Sequence, residues 1–228
     1  MLNFRTILFL HALLFLTSCG GPVTASVPSN QTLRYLALGD SYTVGESVSE
    51  AERWPNQLAA LVNPSRGMDV TIIARTGWTT SELWQGIQAA DPQGTYDMVS
   101  LLIGVNNQYR GYDLNEYRDE FRFLLGKAIE YAGGNPAHVF VLSIPDWSVT
   151  PFAAGGDRGK ISSEIDTFNQ VNLEESYKAG VQYVDVTPVS REAVNDPALI
   201  AGDGLHPSGK MYAEWAKLAL PIAVEILE

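Results

Sequence analysis

The sequence predicts an α/β domain built on a doubly wound, five-stranded parallel sheet. Three observations carry that expectation. Five short apolar runs alternate with longer segments whose apolar residues recur at helical spacing, the pattern of repeated strand–helix units. The third run, Asp97–Ile103, is almost continuously apolar, as a strand covered on both faces must be. The stretch that carries the alternation, residues 33–228, has the length of one domain with a full core.

The elements follow in order. Leu33–Leu38 (LRYLAL) is the first strand. A polar loop leads to Trp54-Pro55, where proline at the first helical position opens a helix through Leu58, Leu61 and Val62. Asp69–Ala74 (DVTIIA) is the second strand and Thr79–Ala89 the second helix. After the third strand, a long helix over 114–132 lines up Tyr117, Phe121, Leu124, Leu125, Ala128 and Ile129 on one stripe. Val139–Ser143 is the fourth strand, 160–179 a helix, Val181–Val186 the fifth strand and Pro207–Leu227 the last helix.

Composition narrows the function classes. With 46% hydrophobic and 18% charged residues, the chain is neither a disordered tail nor a polytopic membrane protein. Fifteen Lys and Arg against 26 Asp and Glu leave a net charge of −11, which argues against nucleic acid, whose phosphates need a basic face. One cysteine rules out a disulfide framework, and three histidines leave little for a metal site. No metal and no cofactor are expected, and the domain is expected to be a monomer.

The N-terminus is a separate unit. Ile7–Leu16 is a run of ten apolar residues behind Arg5, too short to span a bilayer and shaped like a signal-peptide core. Leu16-Thr17-Ser18-Cys19 follows, and it resembles a bacterial lipoprotein signal whose cysteine is lipidated. Residues 1–18 are then the signal peptide, Cys19 the attachment site, and 19–32 a Gly-, Pro- and Ser-rich tether reaching roughly 45 Å when extended. The resemblance implies a domain in the bacterial envelope, held to a membrane by lipid; the plainer reading is an ordinary cleaved signal with a chance cysteine.

In doubly wound sheets, ligands bind outside the carboxyl ends of the strands. The first strand runs into Gly39-Asp40-Ser41, the second into Arg75-Thr76-Gly77 and the third into Gly104-Val105-Asn106-Asn107. Asp203-Gly204-Leu205-His206 precedes the last helix. In these four blocks, their order and their spacing, the whole of 33–228 resembles the SGNH, or GDSL-type, serine hydrolases. The resemblance implies a flavodoxin-like three-layer α/β/α fold and carboxylic-ester hydrolysis. It implies Ser41 as nucleophile, Asp203 and His206 as its triad partners, and an oxyanion hole made of the Ser41 and Gly77 N–H groups with the Asn106 amide. Two positions depart from the family pattern. Tyr42 replaces a leucine at a position without chemistry, and Asn107 stands where the family often has aspartate.

The residues argue in the same direction by themselves. A serine hydroxyl needs a base to remove its proton. Beyond the signal segment, the candidates are His138 and His206, and His138 opens a strand at the wrong end of the sheet. His206 has a carboxylate three residues earlier, so Asp203 accepts from Nδ1–H and Nε2 is left for the serine. The same segments also fit plainer readings: Gly39-Asp40-Ser41 as a turn ordered by Asp40, Asp203 as a loop residue, His206 as a cap, Asn106 and Asn107 as loop residues. Trp54, Trp78, Tyr109, Tyr112 and Trp147 fall at the active edge, and Trp78, Asn107, Tyr109 and Trp147 are candidate substrate contacts. Trp84 is expected in the core. The loop 145–159 flanks or covers the site. The expected substrates are small acyl esters, O-acetylated sugars or lysophospholipids. The competing class is a non-catalytic binding lipoprotein with the same fold.

Overall fold

The computed structural model describes residues 32–62 and 67–228. The signal segment, Cys19 and the tether up to Gln31 lie outside the described residues. Five parallel strands form one sheet: β1 (Leu33–Gly39), β2 (Met68–Ala74), β3 (Met98–Leu102), β4 (Val139–Leu142) and β5 (Gln182–Val184), in the order β2-β1-β3-β4-β5. The chain steps one way from β1 to β2 and the other way ever after, so the order reverses between β1 and β3. Right-handed crossovers therefore put α2 (Trp54–Val62) on one face, and α3 (Thr80–Ala90), α5 (Leu114–Tyr131) and α6 (Arg158–Ala179) on the other. The last helix, α8 (Gly209–Leu227), packs beside α2. This is the architecture the alternation predicts.

Burial explains why the strands read as they do. Tyr35–Leu38 of β1 and all of β3 are fully buried between the helical layers, whereas β2 and β5 are edge strands and only partly covered. Tyr117, Phe121, Leu124, Leu125 and Ala128 of α5 are buried, as the stripe predicts, each large apolar side chain contributing about 1.5–3 kcal/mol. The helix starts are capped from sequence: Thr79 and Glu82 form a reciprocal box on α3, and Asp113 accepts from the N–H groups of Asn115 and Glu116 at 2.9 and 3.0 Å. The last helix differs from expectation at its start. Pro207 is not its first residue but pairs in an antiparallel bridge with Ile200, and Ser208 caps the helix instead.

Three short helices escape the periodicity: α1 (Ser41–Val44), α4 (Val105–Tyr109) and α7 (Thr187–Arg191). Four or five residues hold barely more than one turn, too little for a pattern. Two of the three carry site residues.

The α5–α6 contact closes over one ionised group. Glu175 is 2% exposed, yet it receives Arg118 at 2.7 Å, Arg122 at 2.9 Å and Lys178 at 2.8 Å. Burial opposes its ionisation, but the three cationic donors outweigh burial and hold the carboxyl at about 2. A folded-state value below the unfolded one adds stability that is complete above pH ~4.5 and disappears as the pH falls through about 2. Arg122 and Lys178 are more than half exposed, so water screens part of the gain. Glu175→Gln is expected to lose about 1–2 kcal/mol at pH 7, measured by urea unfolding, and the gap to wild type should narrow below pH ~4.5 and close as the pH falls through about 2.

Candidate active site

Three adjacent strands deliver their ends to one place. Gly39 closes β1 against β3: a Cβ there would collide with the Thr43 hydroxyl and lie 2.5 Å from the Leu102 carbonyl oxygen. The chain then turns into α1 with Asp40 as its cap, Oδ1 accepting from the Tyr42 N–H at 3.0 Å. Ser41 is thereby fixed as the first helical residue. Burial pushes the Asp40 carboxyl up to about 7 against the pull of the Tyr42 N–H, and its Oδ2 has no hydrogen-bond partner. Asp40 orders the turn, as the sequence implies.

After β3, Gly104 has φ +128, and a side chain there would strike the Tyr117 hydroxyl. That conformation starts α4 and swings Asn106 over the sheet edge. One N–H of the Asn106 amide goes to the Trp78 carbonyl at 2.9 Å. A primary amide has a second N–H, which remains for the cleft. After β2, the Gly77 carbonyl accepts from Arg110 Nη2 at 2.7 Å, which fixes the orientation of that peptide group.

From the other side comes the turn 203–206. His206 Nδ1 and Asp203 Oδ2 are 2.6 Å apart. Asp203 Oδ1 also accepts from the N–H groups of Leu205 at 2.9 Å and His206 at 3.0 Å, and Ser47 Oγ donates to Oδ2 at 2.7 Å. Partial burial works against ionisation, but these hydrogen bonds, led by His206, hold the carboxyl well below the usual carboxylate range. Asp203 is therefore charged throughout the physiological range.

Ser41, Gly77, Asn106 and His206 line one open cleft of about 160 Å³. Its walls are Tyr42, Val105, Tyr109, Trp147, Phe152 and Leu205. Tyr109 (58% exposed) and Phe152 (51%) form the rim, and each meets the Trp147 ring, at 5.6 and 5.9 Å between centroids. The loop 145–159 flanks the cleft through Trp147 and Phe152. Phe152 is a lining ring that the sequence does not single out, and Val105 and Leu205 line the cleft without having been expected as contacts; for Phe152 the available signal is a bulky ring inside a Gly-rich loop. Tyr42 also has a role, its buried ring lying edge-on to His206 at 5.8 Å and to Trp215 at 6.3 Å.

Several expected contacts belong elsewhere. Trp78 does not face the cleft; its ring covers Gly86 of α3, where a Cβ would collide with it. Asn107 is not a substrate contact. It is fully buried, with Oδ1 accepting from Thr80 N–H at 3.1 Å and Nδ2 donating to Thr80 Oγ1 at 2.7 Å. Asn107 thus ties the loop after β3 to the start of α3, beside the Asn106–Trp78 bond. Trp54 is core, packed against Tyr35 and Phe140. Trp84 is half-buried, packed against the core and edge-on to Phe123 at 4.9 Å. Tyr112 is exposed and is not part of the cleft wall. Asn107→Ala is expected to leave the buried Thr80 N–H without its partner, while the Thr80 hydroxyl keeps its bond to Glu120, and to lower stability by about 1–3 kcal/mol in denaturant unfolding.

Residues 37–214 match the GDSL-like lipase/acylhydrolase family. No curated protein sequence matches the chain. Solved structures share the fold at low identity. A member of the lipolytic protein G-D-S-L family from Veillonella parvula superposes with a TM-score of 0.63 at 18% identity, covering 83% of this chain and 97% of its own. Axe2, an acetylxylan esterase from Geobacillus stearothermophilus, gives 0.63 at 21%, covering 84% and 94%. TesA gives 0.65 at 17%, covering 85% and 99%. The family match runs from the first strand into the last helix, so the chain belongs to the GDSL-like lipase/acylhydrolase family and is an ester hydrolase.

Proposed function

We propose that the chain cleaves carboxylic esters through an acyl-serine intermediate on Ser41, with His206 as base and Asp203 as its orienting carboxylate. One observation carries the reading: the 2.6 Å contact between His206 Nδ1 and Asp203 Oδ2, made at the wall of the cleft that Ser41 also lines. With Nδ1–H committed to Asp203, Nε2 is the ring atom left to take a proton. Ser41 Oγ attacks the acyl carbon as His206 receives its proton. The carbonyl oxygen becomes an oxyanion held by the free N–H of Asn106 and by the Ser41 and Gly77 backbone N–H groups. Collapse expels the alcohol, which takes the proton from His206. Water then repeats the sequence and frees the acid. Ser41→Ala is expected to abolish ester hydrolysis and labelling by a fluorophosphonate without loss of folding, and Asn106→Ala to lower kcat by about 10²–10³ with KM little changed. Retained hydrolysis in Ser41→Ala would refute the assignment.

The cleft favours short acyl groups. At about 160 Å³ it is well below the ~300–1,000 Å³ of a typical small-molecule site. Its apolar wall suits an acetyl or similarly short chain, while the exposed rings of Tyr109 and Phe152 offer faces on which the alcohol part, such as a sugar ring, can stack. The acetylxylan esterase with the same fold is consistent with this. Across p-nitrophenyl esters, kcat/KM for acetate is expected to exceed that for octanoate by about tenfold or more. A rate that climbs with each added methylene, worth about 0.8 kcal/mol when buried, would instead reveal a groove for long chains.

The enzyme is proposed to act at the bacterial envelope, anchored by a lipid on Cys19. That part of the reading rests on the Leu16-Thr17-Ser18-Cys19 sequence.

A further inference from the structure

We infer that Ser47 is a positioning residue for the Asp203–His206 pair, tying the triad turn to the segment that carries the nucleophile. The inference rests on the reading of Ser41, His206 and Asp203 given above.

Four donors converge on the Asp203 carboxylate. Three of them, the Leu205 N–H, the His206 N–H and His206 Nδ1, belong to the same turn as Asp203. They move with the carboxylate when the turn moves, so they cannot set its place relative to Ser41. The fourth is Ser47 Oγ, 2.7 Å from Oδ2 and 156 positions away in sequence. It shares that oxygen with His206 Nδ1. Ser47 is therefore the donor that fixes the carboxylate from outside, and with it the axis along which Nδ1–H points and the direction left to Nε2.

The backbone is bent to make this contact. Ser47 has φ +67, a left-handed conformation disfavoured for a residue with a Cβ. Asp91, the other such non-glycine residue among those described, is the C-cap of α3, where left-handed residues are ordinary. Ser47 is not a cap; Gly45 fills that place for α1. Glycine would satisfy the Ser47 backbone more easily, but it would bring no hydroxyl to Asp203.

The segment is bound to the nucleophile at its near end. The N–H groups of Gly45 and Glu46 both donate to the Ser41 carbonyl, each at 3.1 Å. Glu46 reaches the opposite way from Ser47, accepting from the Thr76 hydroxyl beside Gly77. Two consecutive side chains thus hold the two loops that must meet at Ser41: one carries the Gly77 N–H, the other the Asp203–His206 pair.

Ser47→Gly and Ser47→Ala test the inference, by steady-state kinetics on a chromogenic acetate ester and by thermal melts. Both remove the hydroxyl, and only glycine relieves the left-handed backbone. In both, kcat is expected to fall about five- to tenfold, by analogy with the lower range for groups that orient a ligand from behind. KM should stay within about twofold, because the change reaches the transition state and not substrate binding. The glycine variant should lose this activity while melting no lower than wild type. Wild-type kcat in Ser47→Gly, or a loss confined to Ser47→Ala that follows its melting temperature, overturns the inference. Asp203→Asn, run alongside, separates the two readings. Near-wild-type activity in Asp203→Asn overturns the triad and the inference with it, whereas loss there with wild-type kcat in Ser47→Gly overturns only the role of Ser47.

Discussion

A side chain at position 39 would sit 2.5 Å from the carbonyl oxygen of Leu102, so β1 and β3 can close at their carboxyl ends only around a glycine. The rest of the site depends on that closure. The strand order reverses between these two strands, and there the crossovers leave for opposite faces of the sheet. In such sheets a crevice opens where the order reverses. Ser41 leaves one lip and Asn106 the other, and α1 and α4 are short because each has only to turn a chain off the sheet. Tyr117 reinforces the second lip from below: its hydroxyl donates to the Ile103 carbonyl at 3.1 Å and occupies the space a Cβ on Gly104 would need. Packing under the sheet edge, rather than contacts within the cleft, sets the distance between Ser41 and Asn106.

Two carboxyl groups near that edge are driven in opposite directions by their surroundings. Asp40 is fully buried, with one oxygen capping α1 and the other unpartnered, so burial dominates and lifts it to about 7. Asp203 is partly exposed and receives hydrogen bonds on both oxygens, so it stays ionised. The charge that an imidazolium at His206 would meet is thus concentrated on Asp203. Separation of this kind, with one carboxyl as architecture and the other as counter-ion, follows from hydrogen-bond supply more than from residue type.

The same contrast explains what could be read without coordinates. β1, β3 and α5 were legible because burial on both faces, or on one stripe, writes itself into many consecutive residues. The order of Ser41, Gly77, Asn106 and His206 was legible because each sits where a strand or turn must end. Trp54 was not: the proline after it signals a helix start, but the side-chain direction that sends its ring against Tyr35 and Phe140 depends on the packed sheet. Asn107 and Trp78 were misjudged for a related reason. Adjacent residues on a one-turn helix or tight loop point in different directions, so Asn106 can face the cleft while Asn107 is buried under it. Ser47 left no trace, since a left-handed serine and a partner 156 positions away are properties of the fold alone.

The loop after β4 shows how an irregular segment becomes a fixed wall. Asp146 at its root is buried, caps the turn Trp147–Val149 through the Ser148 N–H at 2.9 Å, and accepts from Ser162 Oγ at 2.6 Å and Arg191 Nε at 2.9 Å. Arg158, in the first turn of α6, donates to the carbonyls of Ser148 and Thr150. The Trp147 indole N–H donates to Gln108 Oε1 at 2.9 Å, and the Phe152 N–H to the Gly204 carbonyl at 3.0 Å. The last of these bonds is the consequential one. It joins the aromatic wall directly to the turn that holds Asp203 and His206, so the loop cannot swing away without dragging that turn with it. The segment is thus held at its root, along Trp147–Thr150 and at Phe152. It makes the width of the cleft and the setting of the histidine parts of a single geometry.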